Sequence, residues 1–243
     1  MEPITVSLTT DELLYIAKIY EQTERYEDMA DTMRKLIAHK QELNVEERNL
    51  LSVAYKNCVG NRRAAWRTIS SIEQKEGAKG SANLSILRQL KKKIETELDS
   101  HCNEIIELLD KTLMPNASNS EAKIFFYKMA GDYYRYIAEY SSEENKKRVS
   151  DLSSESYQKA QEILEKELPP TNPIRLGLAL SYSVFYYEIL NDPVKACELA
   201  KRAFDDAIAE LDSIPEDQYQ ETTVILQMIR DNLTLWTSQT QDR

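Results

Sequence analysis

Apolar side chains recur along this chain at three- and four-residue steps with charged residues between them, as in Leu176, Leu180, Val184 and Tyr187. That spacing puts one apolar stripe on a helix and does not fit the two-residue period of a strand. Helix starts are marked at regular distances: Thr9 precedes Glu12 by three residues, Asn44 precedes Glu47, Ser118 precedes Glu121 and Ser213 precedes Glu216. In each pair a short polar side chain and an acid satisfy free N–H groups of a first turn. Asn172-Pro173 and Asp192-Pro193 add two starts, because proline at the first helical position lacks an N–H that would have no partner there anyway. Pro115, Pro169-Pro170 and the stretch from Gly77 to Gly80 mark stops. The pattern predicts an all-α protein of about nine helices, most of them amphipathic, with extended helices over 45–76 and 84–114. Short connections imply antiparallel neighbours. With no 34-residue self-similarity and no low-complexity linker, a single continuous domain over 1–243 is expected.

Composition narrows the class. Among 243 residues there are 5 Gly and 7 Pro, too few for the tight turns of an all-β design. A hydrophobic share of 42% suffices for a buried core, and no window reaches the ~18 uncharged apolar residues of a membrane span. The 31 Lys+Arg against 41 Asp+Glu give a net charge of −10. Such a surface does not attract nucleic acid or anionic lipid in bulk, so any anion site has to be local. Cys58, Cys102 and Cys197 are odd in number and never paired as C-x-x-C, which suggests three buried thiols rather than disulfides or a metal site. His39 and His101 have no ligand spacing and read as surface or partly buried imidazoles. MEPITVSLTT is not a secretory signal, so a reducing compartment is expected, the cytoplasm with the nucleus also open, and the sequons at Asn83, Asn116 and Asn232 carry no glycosylation meaning. The run Lys91-Lys92-Lys93, near Glu95 and Glu97, reads as a solvated or salt-bridged face.

The most informative charges lie in RNLLSVAYKNCVGNRRAAWR at 48–67. Lys56, Arg63 and Arg67 are seven and four residues apart, which at roughly 100° per residue gathers them within about 40° on one helix face. The helix over 121–140 repeats the device, with Lys128 and Arg135 seven apart, Asp132 between them and Tyr136 following. Two such stripes facing one another would hold a phosphorylated side chain, which carries about −1.5 to −2 charge and three acceptor oxygens that arginine forks match. Helix-face cations are as a rule solvated or paired, so spacing alone leaves both readings open. Likewise Gly177, Leu180 and Val184, with Ile225 and Met228 of the last helix, read as core as readily as groove. No nucleophile elbow, P-loop or zinc-protease motif is present, and no enzyme, cofactor or metal is expected.

The strings RNLLSVAYKN (48–57), SSIEQK (70–75), GDYYRY (131–136), PIRLGLALS (173–181), SVFYYEI (183–189), AFDDAIAELD (203–212) and RDNLTLWTS (230–238) resemble the 14-3-3 family in order and spacing. The resemblance implies a nine-helix antiparallel cup that dimerises through its N-terminal helices, each half offering a groove for a phosphoserine or phosphothreonine peptide. It implies a non-catalytic adaptor that masks, clamps or bridges phosphorylated clients as a homodimer or a heterodimer with a relative. Phosphate contacts of the family fall on Lys56, Arg63, Arg135 and Tyr136. Arg67, Lys128 and Asp132 match further groove positions, Asn232 an asparagine that holds the peptide backbone, and Glu188 and Trp236 residues that bond the bound chain. The apolar wall matches Gly177, Leu180, Val184, Val224, Ile225, Met228 and Leu235. Dimer contacts map to Arg25 with Glu97 and Asp28 with Lys93, across two chains.

Four departures accompany the match. Ser181 stands where the family usually has a second clamping asparagine, which predicts a weaker groove. Leu90 replaces a dimer-interface tyrosine of many relatives, and Ala65 a serine whose phosphorylation dissociates some of them. The variable acidic tail is absent from the sequence, which ends seven residues after Trp236. The competing reading is a helical scaffold for acidic, unphosphorylated segments, with a chaperone-like holdase behind it.

Overall fold

The computed structural model describes residues 8–214 and 216–241. Among them are nine α-helices and no strand: α1 (Thr10–Gln22), α2 (Tyr26–His39), α3 (Val45–Ala78), α4 (Leu84–Leu108), α5 (Ser120–Tyr140), α6 (Glu143–Glu167), α7 (Pro173–Glu188), α8 (Pro193–Ala209) and α9 (Glu216–Gln241). A π-helical turn, Leu109–Leu113, extends α4, and a short 3₁₀ turn, Leu211–Ser213, precedes α9. The all-α fold expected from the periodicity is the one observed.

Caps explain most boundaries. At α1 the Glu12 N–H donates to Thr9 Oγ1 at 3.2 Å while the Thr9 N–H donates to Glu12 Oε2 at 2.8 Å. Asn44 and Glu47 close the same reciprocal pair at α3, at 2.9 and 2.7 Å. Asn172 and Asp192 cap α7 and α8, each followed by its proline. The start of α5 differs from expectation. Asn119, not Ser118, is the cap, accepting the Ala122 N–H at 2.8 Å, because an amide oxygen one residue later reaches the free first-turn donor directly. The start expected at Ser213 with Glu216 falls where the 3₁₀ turn Leu211–Ser213 ends and α9 begins at Glu216; Pro215 and the Ser213 side chain, and with them the cap itself, lie outside the described residues. Gly80, at φ +66°, ends the α3 connection in the left-handed region that glycine enters without strain.

The chain divides into two compact units, 1–117 and 118–243. In the first, α1 packs on α2, α2 on α3 and α3 on α4, around Leu13, Met33, Leu51, Tyr55, Leu98 and Ile105. Ion pairs bind its helices at the margin. Arg62 of α3 meets Glu27 of α2 at 3.0 Å and Glu97 of α4 at 2.9 Å. Lys91 pairs with Glu73 at 3.0 Å and Lys92 with Glu95 at 3.6 Å, so the lysine run is a salt-bridged face. Cys58 and Cys102 are buried here, and burial pushes the Cys58 thiol up to about 11.

In the second unit α5 and α6 form a close pair. A Cβ at Gly131 would sit 2.6 Å from Cε1 of Tyr157, a distance real side chains do not adopt, so glycine is what lets the ring of α6 lie against the backbone of α5. One apolar cluster joins Ile124, Tyr157, Ala160, Leu178, Tyr182 and Phe185; another joins Leu176, Ala196, Ala200, Leu226, Ile229 and Trp236. Helix α7 contributes to both. Cys197 is half-buried beside the second cluster rather than fully buried as expected.

Candidate functional site

The first unit supplies the long stripe. On α3, Lys56 is exposed, Arg63 half-buried and Arg67 exposed. Lys56 forms no ion pair or hydrogen bond among the described residues, so its ammonium is available to a ligand. Arg62, roughly 100° round the helix from Arg63, is spent on Glu27, Glu97 and the Cys58 carbonyl. Adjacent arginines therefore do different work.

The second unit supplies a built cluster on α5. Lys128 Nζ donates to Asp132 Oδ2 at 2.8 Å, and Arg135 Nη2 donates to Asp132 Oδ1 at 3.2 Å. The Arg135 guanidinium lies over the Tyr136 ring, 4.7 Å from its centre, which adds a cation–π contact. The side chain of Arg135 is 8% exposed, so this is not a solvated surface cation. Burial alone would raise the Asp132 carboxyl, but the charges of Lys128 and Arg135 and the hydrogen bonds from Lys128 and Tyr157 outweigh it and hold it well below the ordinary carboxylate range. The i+4 and i+3 spacing read from the sequence thus brings Lys128, Asp132 and Arg135 into direct contact. Tyr157 was not found by that reading. It lies on another helix, and local spacing carries no signal for it.

Beside this cluster runs an apolar wall. A Cβ at Gly177 would meet Lys128 Cε at 3.6 Å, so the α7 backbone passes close to the lysine stem. Leu180, Val184 and Ile225 are half-buried, whereas Val224, Met228 and Leu235 on one face of α9 are 55%, 50% and 52% exposed. Spaced four and seven residues apart, these three side chains leave one apolar face of α9 uncovered among the described residues. Ser181 and Asn232 are half-buried, and their side chains form no hydrogen bond among the described residues. Glu188 is exposed. Trp236 is only 3% exposed and stacks on Tyr187 at 4.7 Å, so it is part of the core as well as a proposed groove residue.

The residues expected at a dimer interface lie in the first unit. Arg25 and Asp28 pair with each other at 2.6 Å, and Glu97 is engaged by Arg62. Lys93 and Leu90 are exposed. Among the described residues no cluster of His, Cys, Asp or Glu suits a metal, and no helix is long and apolar enough to cross a membrane.

Comparison with known proteins decides the family. The family model described as 14-3-3 protein matches residues 16–237. The chain belongs to the 14-3-3 family. It is 59% identical over 233 residues to 14-3-3 protein I of Plasmodium falciparum, covering 93% of this chain and 89% of that one. It is 56% identical to the checkpoint signal transducer rad24 of Schizosaccharomyces pombe (94% and 85% covered), and 55% identical to protein BMH2 of Saccharomyces cerevisiae (96% and 86% covered). 14-3-3 proteins are adaptor and regulatory proteins that bind client proteins, not enzymes, and this chain is such an adaptor.

Proposed function

We propose that this 14-3-3 protein binds phosphoserine- and phosphothreonine-containing segments of its clients. Lys56, Arg63, Arg135 and Tyr136 take the phosphate, and Asn232 with Ser181 holds the peptide backbone. The exposed leucine, valine and methionine face of α9 receives apolar side chains. The observation that carries this reading is the state of Arg135: a buried arginine already oriented by an ionised aspartate before any ligand arrives. Among the described residues Nε and one Nη2 N–H are hydrogen-bonded, while Nη1 lies 3.9 Å from Glu139 Oε1, an ion pair too long for a hydrogen bond, so the guanidinium keeps N–H groups with which to meet an anion. Capture then requires no reorganisation of the donor, which lowers the cost of binding. The protein acts in the cytoplasm as a dimer, so a client phosphorylated twice engages two grooves at once.

The test is titration of one peptide in phosphorylated and bare forms against the wild type and Lys56→Glu. Two charge-assisted hydrogen bonds at about 1.5 to 3 kcal/mol each predict a preference of about 100-fold or more for the phosphorylated form. Lys56 is exposed and unpaired among the described residues, so Lys56→Glu is expected to abolish that preference while the melting temperature stays within about 2 °C. Equal binding of both forms by the wild type would favour a scaffold for acidic, unphosphorylated segments.

A further inference from the structure

We infer that Tyr157 is a positioning residue of the phosphate site, acting through Arg135, an inference that rests on the phosphate-binding reading above. The Tyr157 hydroxyl donates to Asp132 Oδ1 at 2.7 Å and accepts from Arg135 Nε at 3.2 Å. Arg135 Nη2 reaches the same Oδ1 at 3.2 Å, closing a ring of hydrogen bonds through Nε, Nη2, Oδ1 and the phenol oxygen. Asp132 alone fixes one edge of the guanidinium at one point. The hydroxyl adds a second point on Nε, and two points on a planar group define its plane and its direction. Nη1 is thereby left unbonded, 3.9 Å from Glu139 Oε1.

Packing does not require that hydroxyl. The ring meets Gly131 edge-on and packs with Tyr182 and Phe185 at centroid distances of 5.1 and 5.8 Å, contacts a phenylalanine would make equally well. A phenol oxygen wholly out of water costs free energy unless bonded, and here each of its bonds goes to a member of the α5 charge cluster. The placement of the ring is itself fixed. Gly131 leaves room for it, and Ser153, one turn earlier on α6, donates to the Gly131 carbonyl at 2.8 Å. Helix α6 therefore sets the aim of an arginine on α5.

Tyr157→Phe removes the oxygen and keeps the ring. Phosphopeptide affinity is expected to fall about tenfold, the worth of one hydrogen bond to a charged group. In an Arg135→Lys background, already weakened because lysine lacks the fork, adding Tyr157→Phe is expected to cost less than about twofold more. A merely structural tyrosine would cost the same factor in both backgrounds, and that result would overturn the inference. So would an affinity in Tyr157→Phe equal to wild type. A readout that needs no variant is the Arg135 Nε–H resonance of the wild type, expected to exchange slowly with solvent; fast exchange would also overturn it. If the wild type fails to prefer phosphorylated over bare peptide, the functional reading itself fails and this inference with it, whereas a retained preference with an unaffected variant refutes Tyr157 alone.

Discussion

At the scale of single residues the proposed groove rests on polar side chains able to bond a bound peptide, and Ser181 is the shortest of them. Its hydroxyl and the Asn232 amide are both unspent among the described residues, but the serine is shorter and offers one donor where an asparagine has two. Ser181→Asn is expected to tighten phosphopeptide binding about fivefold, equivalent to roughly 1 kcal/mol for one added hydrogen bond. Titration calorimetry checks this, and unchanged or weaker binding would count against the backbone-clamping role. Which residues were legible follows the same logic. Lys56, Arg63 and Arg67 share a helix, as do Lys128, Asp132 and Arg135, so the helical period alone groups each set. Tyr157 stands 22 residues from Arg135 on the next helix and reaches it only because Gly131 lets the two backbones close. No local pattern encodes that meeting.

At the scale of elements the caps were legible where a polar residue and its acid are three apart, and ambiguous where two cap formers adjoin, as at Ser118 and Asn119. The π-helical turn at Leu109–Leu113 was not legible, since LDKTL contains neither proline nor glycine to signal a change of pitch. Charges between helices were also hidden. His101 on α4 is half-buried and senses Glu27 and Arg34 of α2, Arg62 of α3 and Glu97 of its own helix. Burial first, and then the Arg62 charge, lowers its pKa below the ordinary 6.5, so the folded protein binds a proton less readily than the unfolded chain. Its contribution to stability is complete above about pH 6.5 and is lost as pH falls through the folded-state value. The melting temperature of the wild type is therefore expected to fall more steeply between pH 7 and 5 than that of His101→Gln, measured by circular dichroism. Parallel curves would show that this histidine is not proton-linked to folding.

At the scale of the whole molecule, a net charge of −10 is compatible with the proposed anion site because Lys56, Arg63 and Arg67 share one face of α3 and Lys128 and Arg135 one face of α5, while cations elsewhere, such as Lys40, Arg62 and Lys91, are paired with acids. The first unit also leaves Tyr15 and Ile19 of α1 and Ile86 and Leu90 of α4 exposed, each pair one helical turn apart. An apolar surface of that kind is costly to leave in water, and a second copy is the partner that the dimer reading assigns to it. Leucine at position 90 keeps the apolar character although it lacks the phenol of many relatives. Light scattering is expected to give the mass of two 28.1 kDa chains for the wild type, and Leu90→Glu to shift the population towards one chain by burying a carboxylate in that face. The same variant separates the groove from the dimer. A singly phosphorylated peptide is expected to bind it as tightly as the wild type, since Leu90 lies on α4 and the proposed groove residues do not. A doubly phosphorylated peptide whose linker spans two grooves is expected to lose the avidity gain of about 10² to 10⁴ that linked sites provide. If the monomeric variant retained that gain, a second anion site within one chain, rather than a second copy, would have to account for it.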